Sequence, residues 1–276
     1  MTETRTATLE ALTFGHLDGA VALSSPEGWP HRPEDWALIL GLSRGIAASD
    51  GDRLIGTALA TPFGPAGTLN MIIVARDWRG RGLARAMLER LMDGDARQWR
   101  LIATADGLPL YEKLGFVETH RVVQQQGPVA AVAAPEGVAW AEPGDTEVIA
   151  ALDRAATGMD RASLVAALAD AGRFAVIRDG SSLTGYAALQ PFGRGEVAGP
   201  VVAHDAAEAR RLLAFLFAAR PGAFLRVDTP EGSGLGDWLA AQGLARVGGG
   251  IAMIRGGAPA AAREFQTFAL AAQALG

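Results

Sequence analysis

The apolar run Leu69 to Val74 passes into the amphipathic segment Leu83 to Met92 through a short loop carrying Arg79, Gly80, Arg81 and Gly82. A strand that turns at once into a helix restricts the chain to an α/β arrangement and leaves the first helical N–H groups without partners. Glycine at 80 and 82 lets the backbone turn tightly and come close to a ligand. Free N–H groups and the helix dipole then favour an anion at that point. Arg79, Arg81 and Arg85 around the turn favour a diphosphate over a lone carboxylate. The spacing is neither G-x-x-x-x-G-K-[ST] nor G-x-G-x-x-G, which sets aside the P-loop and dinucleotide folds.

Upstream, Ala7 to Thr13 reads as a strand and Pro33 to Leu42 as a helix with Trp36, Ile39 and Leu40 at helical spacing. Strands over Ile46 to Ser49 and Leu54 to Thr61 flank the turn Asp50-Gly51-Asp52. Downstream, Trp99 to Thr104 reads as a strand, Pro109 to Leu114 as a short helix and Phe116 to Val123 as another strand.

Two segments carry a family resemblance. Arg79-Gly80-Arg81-Gly82-Leu83-Ala84 fits Q/R-x-x-G-x-G/A, and Leu110-Tyr111-Glu112-Lys113-Leu114-Gly115-Phe116 follows further along. Together they resemble the two signatures of the GNAT superfamily of N-acetyltransferases. The resemblance implies acetyl-CoA as cofactor, its pyrophosphate at Arg79, Gly80, Arg81, Gly82, Leu83, Ala84 and Arg85. It gives main-chain contacts with the pantetheine arm to Ile72, Ile73 and Val74. It makes Tyr111 the general acid beside the departing sulfur. Many members carry asparagine seven residues before that tyrosine; Thr104 stands there in this chain and offers a single hydroxyl. Trp29 and His31 fall where the family builds its acceptor wall, and Trp29 in its Gly-Trp-Pro loop is suited to contact an amine-bearing substrate. No base is assigned. Thr68 to Val74 holds no acid or histidine, and Glu118, His120 and His31 remain alternatives.

Gln124 to Pro135, with its glutamines, small residues and prolines, suits a linker or a domain-crossing strand. Beyond it the order repeats. Arg173 to Arg178 and Leu183 to Leu189 flank a turn at Asp179-Gly180, as the earlier pair flanks Asp50-Gly51. The expected fold class is α/β, with two tandem GNAT-like domains, 1–127 and 128–276, each a mixed, largely antiparallel sheet flanked by helices. An offset of 128 residues sets Ala207-Glu208-Ala209-Arg210-Arg211-Leu212 against Arg79 to Ala84, and Leu239 against Tyr111. A loop without glycine, and with Glu208 in the anion's place, is expected to hold no CoA. The second half is then a support, a cover for the acceptor site or a homodimer contact, needed for folding or acceptor choice but not for the cofactor site. Ala260 to Leu275 spaces Phe265, Phe268, Ala272 and Leu275 as a helix would, and docking onto one domain is expected.

With no cysteine, disulfides, thiolate metal sites and a cysteine-linked acyl-enzyme are excluded. Four scattered histidines lack metal-ligand spacing, so no metal is expected. A net charge of −5 with the arginines gathered at one loop argues against nucleic acid. Met1 to Thr6 lacks an apolar leader core and no run is long enough for a bilayer, giving the expectation of a soluble cytoplasmic protein with no membrane partner. The function expected is acetyl-CoA-dependent acetylation of a primary amine on a small molecule, amino acid or protein terminus, by direct attack on the thioester. The alternative is a CoA-binding sensor or scaffold without turnover.

Overall fold

The computed structural model describes residues 6–257 and 263–276. Met1 to Arg5, and Ala260 to Ala262 of the expected C-terminal helix, lie outside the described residues. The first half runs β1 (Thr8–Ala11), α1 (Leu17–Ser24), α2 (Pro33–Gly41), β2 (Arg44–Asp50), β3 (Arg53–Phe63), β4 (Ala66–Val74), α3 (Leu83–Met92), β5 (Gln98–Ala103), α4 (Leu108–Lys113) and β6 (Val117–Pro128). The second runs β7 (Val138–Trp140), α5 (Thr146–Thr157), α6 (Ala162–Ala171), β8 (Arg173–Asp179), β9 (Ser182–Phe192), β10 (Gly195–Ala203), α7 (Ala206–Ala218), β11 (Phe224–Pro230), α8 (Gly236–Ala241), β12 (Ala245–Arg255) and β13 (Gln266–Ala269).

The repeat is visible in strand lengths. β2 and β8 have 7 residues each, β3 and β9 have 11, and β4 and β10 have 9. Among the described residues the strands form one mixed α/β sheet in the order β1-β2-β3-β4-β5-β12-β6-β11-β10-β9-β8-β7, with β13 against β10. The halves therefore exchange their long late strands. β12 enters the first half between β5 and β6, pairing Ile251 with Ala103 and Arg121, while β6 crosses to pair Gln124 with Asp228 of β11. Position 127 falls inside β6 and is no break in the sheet, and β5 pairs with β4 for only three residues and otherwise depends on the second-half strand β12. Close approach there uses glycine: a Cβ at Gly249 would stand 1.9 Å from the Val122 carbonyl oxygen.

Helices cover the sheet with apolar faces. α3 buries Met87, Leu88, Leu91 and Met92 against a cluster containing Trp78, Trp99 and Tyr111. α2 buries Trp36, Ile39 and Leu40 in a core that also receives Leu164, Val165 and Leu168 of α6, so one core spans the two halves. Arg161, Asp153 and Tyr186 lie wholly buried together. The Arg161 guanidinium donates to Asp153, at 2.8 Å from Nε, and to the Gly276 oxygen at 2.6 Å, and the Tyr186 hydroxyl donates to Asp153. No helix among the described residues is long and apolar enough to cross a membrane.

The expected C-terminal helix is corrected to strand β13 followed by a tight turn. Past Val201 the open side of β10 is buried, and buried main-chain groups without partners are costly. β13 supplies those partners, pairing Ala269 with Val201, Thr267 with Val202 and Gln266 with Ala203. Tertiary need overrides the helical spacing, and the segment docks across both halves, with Thr68 Oγ1 donating to the Ala274 carbonyl at 2.9 Å.

Candidate active site

β4 and β5 run parallel and pair only from Ala66 to Thr68, against Gln98 to Arg100; beyond that they diverge. The register of β4 on β3 steps between Ile73 opposite Thr57 and Asn70 opposite Leu59. Met71 sits in the step at φ 49°, a left-handed value costly for this side chain, and the buried Thr57 hydroxyl fixes it by donating to its carbonyl at 2.7 Å. The bulge and the divergence leave the Ile72–Val74 main chain on an open edge. At the end of that edge α3 begins at Gly82, φ 79°, with no side-chain cap, and Gly80 lies at φ 76°. The first N–H groups of α3 are thus left for a ligand.

Edge, helix start and α4 surround a cleft of about 960 Å³. Of the expected residues, Trp29, His31, Ile72, Ile73, Val74, Arg79, Gly80, Gly82, Leu83, Ala84, Arg85, Thr104 and Tyr111 all line it. Arg81 does not; its guanidinium stacks 4.5 Å from the Trp78 ring centroid and donates to the Asp77 carbonyl. Arg79 donates from Nε to the Val74 carbonyl at 3.0 Å and pairs with Glu27 at 2.8 Å. Arg76 bonds the same Glu27 carboxylate, and the two guanidinium groups, Arg76 first, hold its pKa below the ordinary value. These are exposed, solvent-screened pairs that an incoming anion can rearrange. Arg85 pairs with Glu89 one helical turn on.

The Tyr111 ring packs edge-on to Phe116 at 6.1 Å, and its hydroxyl has no hydrogen-bond partner among the described residues. Burial pushes that hydroxyl up to about 12, so the phenol stays protonated through the ordinary pH range. Thr104 Oγ1 accepts from Gly107 N–H at 3.2 Å, which holds the turn leading into α4.

His31 lies between Trp29, Trp36 and Phe192, at ring distances of 5.5, 6.4 and 5.2 Å. Burial first, and the Arg226 charge second, push it down to about 4, so it is a neutral imidazole and a weak base. Glu118 and His120 are exposed on β6 and do not line the cleft. The sequence did not point to Arg194 and Arg226 of the second half, nor to Gln124, Gln126 and Gln273, which complete the walls. The crossing of β6 onto β11, the β9–β10 hairpin and the turn after β13 bring them there, although three consecutive glutamines in a strand are themselves an unusual signal.

The second half reproduces this frame and then closes it. Val201–Ala203 hold the last three places of β10 as Ile72–Val74 do in β4, and β13 pairs with them. Between β10 and α7 stand only His204 and Asp205, so the whole Arg/Gly loop is missing. The residues set against it in sequence, Ala207 to Leu212, are already helix. The Asp205 carboxylate caps that helix, accepting from the Ala207 and Glu208 N–H groups at 2.8 and 2.9 Å.

Comparison with known proteins agrees with this frame. An acetyltransferase (GNAT) domain model matches residues 42–118 and a second such model matches residues 149–269. An uncharacterized N-acetyltransferase of Bacillus subtilis (strain 168), YitH, is 30% identical over 244 residues, 83% of this chain and 84% of that one. The chain belongs to the GNAT acetyltransferase family. As a fold it resembles a Pyrococcus horikoshii protein provisionally classed as an acetyltransferase, with TM-score 0.84 and 18% identity over 100% of this chain and 98% of that one. It also resembles a tandem GNAT protein from the clavulanic acid biosynthesis pathway, with TM-score 0.63 and 16% identity over 93% of this chain and 100% of that one. This acetyltransferase thus carries two GNAT domains, one with an open strand edge at the end of β4 and one whose matching edge is filled by its own chain.

Proposed function

We propose that the first-half cleft binds acetyl-CoA and transfers its acetyl group to a primary amine by direct attack. The observation that carries this reading is the contrast between Ile72–Val74 and Val201–Ala203. The second set is satisfied by an extended segment of the chain itself, a polar-backboned strand much like a pantetheine arm in breadth. The first set is open, beside an uncapped helix start and an unpartnered Tyr111 hydroxyl. A narrow chain with amide groups fits such an edge, and a diphosphate fits the α3 N–H groups with Arg79 and Arg85 alongside.

Acetyl-CoA supplies an activated thioester. The amine nitrogen bonds to the carbonyl carbon, main-chain N–H groups of the β4 edge receive the developing oxyanion, and the carbon–sulfur bond breaks. Tyr111 gives its proton to the sulfur, the amine's surplus proton leaves to water, and the Tyr111 phenolate takes a proton back from water. No cleft residue is a strong base near neutral pH, so the amine enters as free base. Calorimetry with CoA and acetyl-CoA consumption over an amine panel test this together: one CoA per chain with turnover supports it. Two sites per chain, or none, overturn the cofactor assignment, and CoA binding without turnover on any amine favours a CoA-binding sensor.

A further inference from the structure

One end of the cleft is made by both halves. Trp29, Pro30 and His31 come from the loop before α2, Phe192 and Arg194 from the β9–β10 hairpin, and Arg226 from β11. Arg226 lies opposite Gln126 in the β11–β6 register, and its guanidinium carbon is 5.8 Å from the Phe192 ring centroid. Arg226 is mostly buried and bonds the fully buried Asp228 carboxylate from Nε at 2.8 Å and from Nη2 at 2.7 Å, so that pair is close to neutral. Arg194 has no ion pair or hydrogen bond among the described residues, and it leaves the end of the cleft with an uncompensated positive charge.

The polar neighbours point the same way. Asp228 can only accept, so the Gln273 amide must turn its NH2 toward it, at 3.0 Å. The same NH2 reaches the Gln124 oxygen at 3.3 Å, so Gln124 turns its own NH2 to the Gln126 oxygen at 3.1 Å. The chain of amides ends with the Gln126 NH2 as a donor that has no acceptor among the described residues. A cation, by contrast, finds little here. Of the acids lining the cleft, Glu27 is held by Arg76 and Arg79, and Asp106 belongs to the exposed turn before α4.

Resting on the acetyl-transfer reading above, we propose that the acceptor is an amine bearing a carboxylate, received by Arg194, Arg226 and the Gln126 amide, with an apolar body against Trp29 and Phe192. An amino acid with an aromatic or large aliphatic side chain has this chemistry. A polyamine does not.

The test uses the full chain. Steady-state acetylation is measured with L-phenylalanine, L-phenylalaninamide, phenethylamine and spermidine, beside calorimetry with CoA. Phenylalanine is expected to exceed the other three in kcat/KM by about tenfold or more, an advantage that shrinks with salt. Arg194→Glu is expected to raise KM for phenylalanine about tenfold or more and to turn the preference toward phenylalaninamide. Faster turnover of the amide or of spermidine by the natural chain overturns the proposal while leaving acetyl transfer intact. Should no amine turn over, calorimetry with N-acetyl-L-phenylalanine and its amide decides, with and without CoA: preferential binding of the carboxylate sustains the acceptor class, and equal binding overturns it. Loss of CoA binding would count against the acetyl-transfer reading alone.

Discussion

The Asp35 carboxylate, 3% exposed at the start of α2, accepts from the Gly193 backbone N–H at 2.8 Å, joining the Trp29–His31 loop to the β9–β10 hairpin 158 residues away. The same carboxylate accepts from the Arg32 N–H at 2.8 Å and from its guanidinium at 2.7 Å. Asp35→Ala strands these donors, and loss of such a partner typically costs about 1–3 kcal/mol. Urea unfolding is expected to show that loss. The acceptor KM is expected to rise as the loop and hairpin part, with CoA affinity by calorimetry retained; an unchanged KM would mean that the contact only braces the fold.

Gly82→Val is expected to weaken CoA binding by at least about tenfold. A β-branched residue at φ 79° carries roughly 1–3 kcal/mol of backbone strain, and its side chain would stand where a diphosphate approaches the α3 amides. Arg210→Ala in α7 is the control, because Arg210 bonds the Gly234 carbonyl away from the cleft. Equal losses in the two variants would place the anion site elsewhere.

Tyr111→Phe keeps the ring against Phe116 and removes only the proton, so turnover is expected to fall on the order of 10²–10⁴-fold while the CoA Kd holds. With its pKa pushed up to about 12, Tyr111 remains a neutral donor across pH 7 to 10 in the free protein. The natural chain is therefore expected to show no alkaline fall in rate from this group over that range. An unchanged rate in Tyr111→Phe would make the hydroxyl structural.

The sequence was most legible where local chemistry alone decides. Helix α3 runs from Leu83 to Met92 because apolar spacing, the preceding glycines and the loop agree on it. Arg79, Gly80 and Gly82 of the loop share one cleft with Tyr111, as the two motifs led one to expect, while Arg81 turns away onto Trp78. What stayed hidden depends on partners distant in the chain. The glutamine run from Gln124 suits a strand that crosses between halves, but nothing in it tells that its partner will be β11, and nothing near Phe268 tells that β10 lacks a neighbour until β13 arrives. Thus Arg194, Arg226 and Gln273 could be seen only as surface or core residues. Burial, which the sequence does not show, pushes the Tyr111 phenol up to about 12.

That exchange changes what a truncated chain should do. Without the second half, β5 and β6 lose β12 from between them, and β6 loses β11 as well. Residues 1–127 expressed alone are expected to expose apolar sheet, to lack a cooperative unfolding transition and to bind no CoA. Co-expression with residues 128–276 is expected to restore both. A separately folded fragment with CoA affinity would show that β12 is dispensable to the cofactor site.

His31 gives stability a pH dependence whose sign follows from its burial. In the unfolded chain an imidazole takes a proton near pH 6.5, whereas in the fold burial and Arg226 push His31 down to about 4. Between those values the unfolded state binds the extra proton, so stability falls as pH drops through that window and is fully present above it. At about 1.4 kcal/mol per pH unit the loss reaches roughly 3 kcal/mol near pH 4. His31→Phe should keep the contacts with Trp36 and Phe192 and remove this contribution. Urea unfolding at pH 7 and pH 5 is then expected to differ less in the variant than in the natural chain. Equal differences would mean that His31 can take its proton inside the folded cleft, and that its imidazole is available as a base after all.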